Sequence, residues 1–378
     1  MYSITAIMSK AFKALREQPY FSAFVACLIV LATISVFARP HVIDGDAVTY
    51  VDAIKVLNGA PLDESIGMHT YVIHRIMTTF LGLEIINGLS FVFGSIEVAW
   101  LVWATILYLF VNILFYKLLL QMFESARTAL VGGLFFAANY AMLIFGLTYF
   151  MDIGGWFFYI FSIYFLYRYI QTDNTKDLWV AVLAMSVGGF FKENALVAYV
   201  PLFLIVFYEN RSSMMMFLRK IIPLSIVAGL PFIIHQIVVY IAYGEHYLHW
   251  VSINKTAYIY GSRIVEYVKS FGSLLNFLAP VSLVGLWVVV REYVSSWKID
   301  KRFVFIVGVF ISSVPAVMWP GITQRVLFMV VPGLVILACF AIKRYEHYWY
   351  AFIPLVIIYA LMSIYMDSFV LNFVNLPF

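Results

Sequence analysis

The chain has 378 residues, of which 64% are hydrophobic and only 12% are charged, and its net charge is +4. Soluble domains carry about 25% charged and about 45–50% apolar residues. This chain therefore has too little polar surface for a soluble enzyme, a disordered protein or a secreted disulfide scaffold, and a polytopic membrane protein remains. Cys27 and Cys339 lie inside apolar runs without metal or redox spacing, which indicates lipid-facing or packing residues.

The apolar runs are continuous rather than alternating, which favours membrane helices over a transmembrane barrel. We predict an all-α polytopic protein whose residues 1–378 form a single transmembrane domain. It should have about eleven spans, within a range of about 9–12. The predicted spans are 20–38, 96–119, 128–147, 153–170, 178–191, 195–208, 221–243, 271–290, 303–318, 326–342 and 349–366.

Positive charges set the predicted orientation. With the N-terminus in the cytoplasm, the inner loops hold about twice as many Lys and Arg residues as the outer ones, as the positive-inside rule requires. Short loops favour a bacterial inner membrane over the endoplasmic reticulum. Most acids fall on the outer side, several of them between Asp44 and Glu84, so we expect carboxylate chemistry on the outer (periplasmic) face.

Two predicted outer loops are long, at 39–95 and 244–270. The first contains two amphipathic stretches, 47–57 and 69–81, which we expect to lie flat as helices in the membrane interface. The second is rich in Tyr and Trp. A functional site on the outer face would draw on these loops.

The first outer loop opens with Asp44-Gly45-Asp46, and Tyr50 follows. Gly45 permits a tight turn, and Asp46 suits the N-cap or the first turn of the next helix. A partly desolvated carboxylate beside a like charge can instead have a raised pKa and act as a general base toward a hydroxyl. Two acids at this spacing can also bind a divalent cation such as Mg or Mn. The motif alone leaves these three interpretations open.

Further residues add a family resemblance. Asp46-Ala47-Val48-Thr49-Tyr50 is followed by Ala53 and Gly59, and Gln324-Arg325 precedes Val331-Pro332-Gly333. With these motifs and the order of elements over 20–210, the chain resembles the glycosyltransferase C superfamily of integral membrane enzymes. Its layout is similar to protein mannosyltransferases and lipid A aminoarabinose transferases. Asp44 departs from the family pattern and leaves open which acid is the base, although the spacing to Tyr50 favours Asp46.

The resemblance implies an enzyme that moves a hexose or pentose from a polyprenyl-phosphate donor to a hydroxyl on the outer face, with inversion. The acceptor would be a glycan, a lipid or a protein, and the other partners would be membrane lipids. A leaving lipid phosphate needs cations rather than a nucleotide-binding loop. The chain has no Walker motif, so we do not expect ATP hydrolysis, and we expect no nucleic-acid partner.

The resemblance also assigns the remaining outer polar residues. Lys192 and Arg325 are predicted donor-phosphate contacts, although each would also suit a side chain that snorkels to the interface. Asp152 is the predicted second acid, aiding acceptor or metal binding, or else an N-cap. A metal site would use Asp44, Asp46 and Asp152. The predicted substrate-binding residues, which could also contact lipid headgroups, are Tyr50, Asp152, His69, His74, Arg75 and Glu193.

Three rival functions fit the same composition. A transporter or flippase of lipid-linked glycans would place ionisable residues near the bilayer midplane and show internal repeats, and neither is visible here. A polysaccharide polymerase or ligase would use large Arg- and His-rich outer loops rather than an acid after the first span. A non-catalytic assembly subunit would tolerate the loss of Asp46.

Overall fold

The computed structural model describes residues 18–37, 43, 45–62, 68–257, 270–294, 299–318 and 323–374. Within these ranges all regular elements are helices, which confirms the predicted all-α polytopic class. Asp44 and residues 258–269 of the predicted outer loop 244–270 lie outside the described residues.

The α-helices are numbered here in chain order. They are α1 Pro19–Phe37, α2 Asp46–Leu57, α3 Met68–Phe93, α4 Ile96–Phe123, α5 Ala126–Ala137, α6 Tyr140–Ile144, α7 Asp152–Thr172, α8 Thr175–Gly188, α9 Tyr199–Glu209, α10 Met214–Tyr243, α11 Tyr247–Ala257, α12 Leu278–Val289, α13 Lys301–Ile311, α14 Val314–Met318, α15 Gln324–Leu327, α16 Val331–Arg344 and α17 Phe352–Val374. Residues 270–275 are also helical. Shorter 3-10 and π turns occupy Glu193–Ala198, Val290–Val294, Phe328–Val330 and Glu346–Ala351.

Seven helical segments among the described residues are long and apolar enough to cross a membrane. They are Pro19–Phe37, His69–Phe93, Ile96–Phe123, Met214–Tyr243, Lys301–Met318, Arg325–Arg344 and Glu346–Tyr365. The predicted spans at 178–191 and 195–208 are the short helices α8 and α9, joined through a turn at Lys192. The count of eleven crossings stays a prediction.

Helix α3 is longer than the interfacial stretch predicted at 69–81, because it continues to Phe93. It is kinked at Thr79, where φ is −135° and ψ is 20°. The kink frees backbone groups, and other segments bind them. Leu81 N donates to Phe190 O at 3.1 Å, and Gln236 Nε2 of α10 donates to Met77 O at 2.8 Å. The amphipathic pattern missed this extension because the partners lie far away in sequence.

Residues predicted on one side of the membrane come together in space. At one end of the bundle, Arg302 donates to Met122 O at 2.6 Å, and Lys301 lies 2.9 Å from Glu209. All four belong to predicted inner segments. At the other end, the predicted outer residues Asp46, Arg75, Asp152, Lys192 and Arg325 line one cavity. The contacts therefore group residues of predicted inner segments apart from residues of predicted outer segments, and which group faces the cytoplasm stays a prediction.

The same contacts locate the two ends of α3. Its N-terminal half carries Arg75, which lines the outer cavity. Its C-terminal half carries Asn87, which bonds Asn58 at the end of α2 at 3.0 Å. The next helix, α4, ends at the inner cluster around Met122. Both halves of α3 thus contact outer elements, which favours an interfacial position despite its length.

The core is closed by small residues that let helices approach, as is common in membrane proteins. A Cβ at Gly132 of α5 would overlap Cys339 Sγ of α16 and lie 2.9 Å from a Leu119 methyl group of α4. Cys339 is buried and Cys27 is exposed, so the two cysteines match the packing and lipid-facing expectations.

Candidate active site

A cavity of about 310 Å³ opens between α2, α3, the start of α7, α11 and the segment from α14 to the 3-10 turn after α15. It unites charged, aromatic and apolar walls. The lining residues are Asp46, Tyr71, His74, Arg75, Asp152, Lys192, Glu193, Asn194, Val197, Tyr247, Trp250, Pro315, Ala316, Thr323, Arg325, Val326 and Met329.

Asp46 enters the cavity from the first turn of α2. Gly45 has φ +49°, the left-handed turn that its sequence position predicted. Of the two helix-start positions that the sequence offers for Asp46, the structure shows the first turn rather than the N-cap, because Gly45 is the cap residue and no side-chain cap bond forms. The Asp46 carboxylate is instead shared by two arginines. Its Oδ1 lies 2.8 Å from Arg75 Nη2, and its Oδ2 accepts a hydrogen bond from Arg325 Nη2.

The two arginines change the pKa of Asp46 in the direction opposite to the one considered from the sequence. Burial alone would raise the pKa of its carboxyl, but Arg75 and Arg325 outweigh burial and lower it, with a smaller contribution from Lys192. The raised pKa expected from a neighbouring acid is therefore wrong for Asp46. The carboxylate is ionised and held by cations in the structure described here. Asp44, its predicted partner, lies outside the described residues.

Arg75 is fixed tightly against α2. Its side chain is only 2% exposed, and its Nε donates to Thr49 Oγ1 at 3.0 Å. Its guanidinium carbon lies 4.5 Å from the centre of the Tyr50 ring. Tyr50, a predicted substrate-binding residue, does not line the cavity. Its ring instead packs against the Arg75 guanidinium. Sequence reasoning missed Thr49, although its position one helical turn after Asp46 places both on one face.

Arg325 lies between two acids. Besides its bond to Asp46, its Nη1 is 3.9 Å from Asp152 Oδ2. Both of these atoms are buried and have no hydrogen-bond partner among the described residues. Asp152 is the first residue of α7 and not its N-cap, which is Met151. The N-cap alternative for Asp152 is therefore wrong, and its carboxylate is available to the cavity.

Lys192 and Glu193 can pack close to α7 because the first turn of this helix contains Gly154 and Gly155, which have no side chains. A Cβ at Gly155 would overlap the Asn194 side chain and lie 2.6 Å from Lys192 Cβ. Lys192 Nζ is 3.9 Å from Glu193 Oε2, beyond hydrogen-bonding distance. Burial lowers the pKa of Lys192, but Glu193, Tyr50 and Asp152 raise it by more, so Lys192 is a cation. The sequence carried no signal for Asn194.

Aromatic rings form the wall opposite these charges. The His74 ring stacks on Trp250 with centroids 4.0 Å apart, and Tyr71 meets Trp250 edge-on at 4.8 Å. Tyr247 and Trp250 belong to the second predicted outer loop, which thus completes the cavity. His74 Nδ1 is buried without a hydrogen-bond partner among the described residues.

His69 does not line the cavity. Its Nδ1 is 3.7 Å from Glu245 Oε1, and the same oxygen accepts a bond from Thr70 at 2.9 Å. The other carboxylate oxygen lies 2.6 Å from His249 Nδ1. The structure therefore places His69 in a contact between α3 and the turn that precedes α11, rather than among the predicted substrate contacts.

The predicted metal site of Asp44, Asp46 and Asp152 stays a prediction, because Asp44 lies outside the described residues. They contain no group of three or more His, Cys, Asp or Glu side chains that could hold a metal ion. The position between Asp46 and Asp152, where a divalent cation would be expected, is taken by the Arg325 guanidinium. We therefore derive no step that uses Mg or Mn.

Comparisons with known proteins found one matching family model and a similar solved fold. The family model of dolichyl-phosphate-mannose-protein mannosyltransferases matches residues 79–239, which include Asp152 and Lys192. The fold is similar to the crystal structure of ArnT from Cupriavidus metallidurans bound to undecaprenyl phosphate, with a TM-score of 0.63 and 16% identity. That match covers 86% of this chain and 60% of the ArnT chain. No curated protein sequence matches significantly.

Proposed function

We propose that this chain is a member of the glycosyltransferase C superfamily and transfers a sugar from a polyprenyl-phosphate donor to a hydroxyl acceptor with inversion; the matched segment and the similar fold support this proposal. Asp46 is the general base. Lys192 and Arg325 bind the donor phosphate, and Asp152, His74 and Glu193 contact the sugar or the acceptor. The N-terminus lies in the cytoplasm of a bacterial cell, and the cavity faces the periplasm.

One observation carries this proposal: a carboxylate shares a single cavity with three cations, Arg75, Lys192 and Arg325. A carboxylate within reach of an acceptor hydroxyl can take its proton. Cations aimed at a phosphate oxygen stabilise the charge that develops as the phosphate leaves. An acid beside several cations is thus the pairing that transfer from a lipid phosphate requires.

The apolar side of the cavity suits the lipid part of such a donor. Pro315, Ala316, Val326 and Met329 give the cavity an apolar side next to Arg325. An isoprenoid chain could leave along this side toward the membrane while its phosphate stays with the cations. The undecaprenyl phosphate bound to the ArnT of similar fold supports a donor of this chemical class.

The proposed step balances without a further reagent. The acceptor O–H proton passes to an Asp46 oxygen, and the acceptor oxygen forms a bond to the anomeric carbon. The bond from that carbon to the phosphate oxygen breaks, and both electrons leave with the lipid phosphate. Attack and departure on opposite faces invert the anomeric configuration.

The test is sugar transfer by the purified protein from a radiolabelled polyprenyl-phosphate sugar. Asp46→Asn keeps the shape of the side chain and removes the base, so we expect a loss of about 10²–10⁴-fold in kcat. Asp52→Asn is the matched control, because Asp52 lies on the same helix and, among the described residues, pairs only with the exposed Lys55 at 2.8 Å. Full activity of folded Asp46→Asn and Arg325→Ala proteins would overturn the assignment.

A further inference from the structure

The two arginines that hold Asp46 differ in how firmly they are themselves held. Arg75 binds Oδ1 of the carboxylate, and Arg325 binds Oδ2. While both bonds persist, each oxygen carries a guanidinium, and the carboxylate is a poor base because its pKa is lowered. A productive complex must therefore release at least one oxygen.

The Arg75 side chain is held in place by several contacts. Its side chain is 2% exposed, its Nε is occupied by Thr49, and its plane rests on Tyr50. Thr49 in turn donates to the Asp46 backbone oxygen at 2.7 Å. Moving Arg75 would break each of these contacts and leave buried polar groups unpaired.

Arg325 has more freedom. Its side chain is 20% exposed, and its Nη1 is buried without a hydrogen-bond partner among the described residues. Nη1 lies 3.9 Å from Asp152 Oδ2, beyond hydrogen-bonding distance. A guanidinium with an unused N–H aimed into a cavity is suited to a phosphate, which accepts two parallel bonds.

We propose that donor phosphate draws Arg325 away from Asp46 while Arg75 keeps Oδ1, so that Oδ2 becomes the basic oxygen only when the donor is bound. Arg75 is then a positioning residue and Arg325 a phosphate ligand that also restrains the base. This inference rests on the proposed function. Coupling the base to the donor keeps Asp46 from acting on acceptors, or on water, in an empty site.

A competition follows, because Asp46 and the phosphate bind the same guanidinium. Removing the Asp46 charge should therefore tighten binding of a lipid phosphate even though it abolishes transfer. We expect Asp46→Asn to bind undecaprenyl phosphate about three- to tenfold more tightly than the unaltered protein. A residue that merely contacted the phosphate, or merely supported the fold, would not give tighter binding on substitution.

The experiment measures binding of radiolabelled undecaprenyl phosphate to the full-length protein in nanodiscs. Arg325→Ala should weaken binding by at least tenfold. Thr49→Val, which removes the Arg75 partner at nearly constant shape, should leave binding unchanged and lower kcat of sugar transfer. Because Thr49→Val keeps Arg75 itself, it tests the positioning role even if substitution of the buried arginine prevents folding. Asp52→Asn is again the control and should match the unaltered protein in both assays.

The outcomes separate the inference from the proposed function. If the unaltered protein transfers sugar and binds undecaprenyl phosphate, but Asp46→Asn binds it equally or more weakly, the competition is refuted and the glycosyltransferase proposal stands. Weaker lipid binding by Thr49→Val would refute the division of tasks between the arginines. No binding by the unaltered protein would overturn both proposals.

Discussion

Substitution of Gly155 tests whether close packing of the turn at Lys192 against α7 positions Lys192 in the cavity. Gly155→Ala places a Cβ that would overlap the Asn194 side chain and lie 2.6 Å from Lys192 Cβ. A helical Gly→Ala change with free space gains about 1 kcal/mol of stability. Here the overlap opposes that gain, since overpacking costs about 1–3 kcal/mol. The turn that carries Lys192 can relieve the overlap only by moving away from α7.

The expected result is a loss of activity larger than the loss of stability. A shift of about 1 Å in a substrate-positioning group can reduce the rate about 100-fold, whereas the net change in unfolding free energy should stay within about 2 kcal/mol. The assays are sugar transfer and thermal unfolding in detergent.

The matched control for Gly155 is Gly229→Ala. Gly229 lies inside α10 with nothing within 4 Å of an added Cβ, so full activity and equal or higher stability are expected. Activity of Gly155→Ala equal to that of Gly229→Ala would refute the claim that this turn positions Lys192 in the site.

Three further predictions concern charge and the kinked helix. Arg325→Ala removes a cation that lowers the pKa of Asp46, so the acid limb of the kcat/KM profile should move to higher pH; an unmoved limb contradicts this. The pKa of Glu245 is also lowered. Its stabilising contribution is therefore present above about pH 4.3 and lost as pH falls further, and Glu245→Gln should reduce this loss in thermal unfolding. Gln236→Leu leaves Met77 O without its donor and should cost about 1–3 kcal/mol, measured by thermal unfolding; no change would deny the bond a role.

The helical class followed from the sequence because it depends on local composition, and the sidedness drawn from the same composition stays a prediction. Continuous apolar runs require helices in lipid, and Lys and Arg frequencies separate the two faces. That separation brought Asp46 and Arg325 to the same side although the two positions lie near opposite ends of the chain. It could not show that their side chains touch, because the contact depends on how α2 and α15 pack.

The pKa of Asp46 and the length of α3 depend on tertiary packing. The raised pKa considered for Asp46 was wrong, and the stretch predicted at 69–81 covered only part of α3. The pKa of Asp46 was expected to rise because only its neighbour Asp44 was visible in the sequence. The cations that lower it come from α3 and α15. Similarly, α3 continues past Thr79 because groups on α10 and the turn at Phe190 bind its free backbone atoms. Pairings of this kind have no periodic signal along the chain.

The most direct test of the central claim is the rate of sugar transfer from a polyprenyl-phosphate donor by Asp46→Asn, measured beside Asp52→Asn. The account predicts a loss of at least about 100-fold in the first protein and full activity in the second. Equal activity of the two folded proteins would contradict the claim that Asp46 is the base.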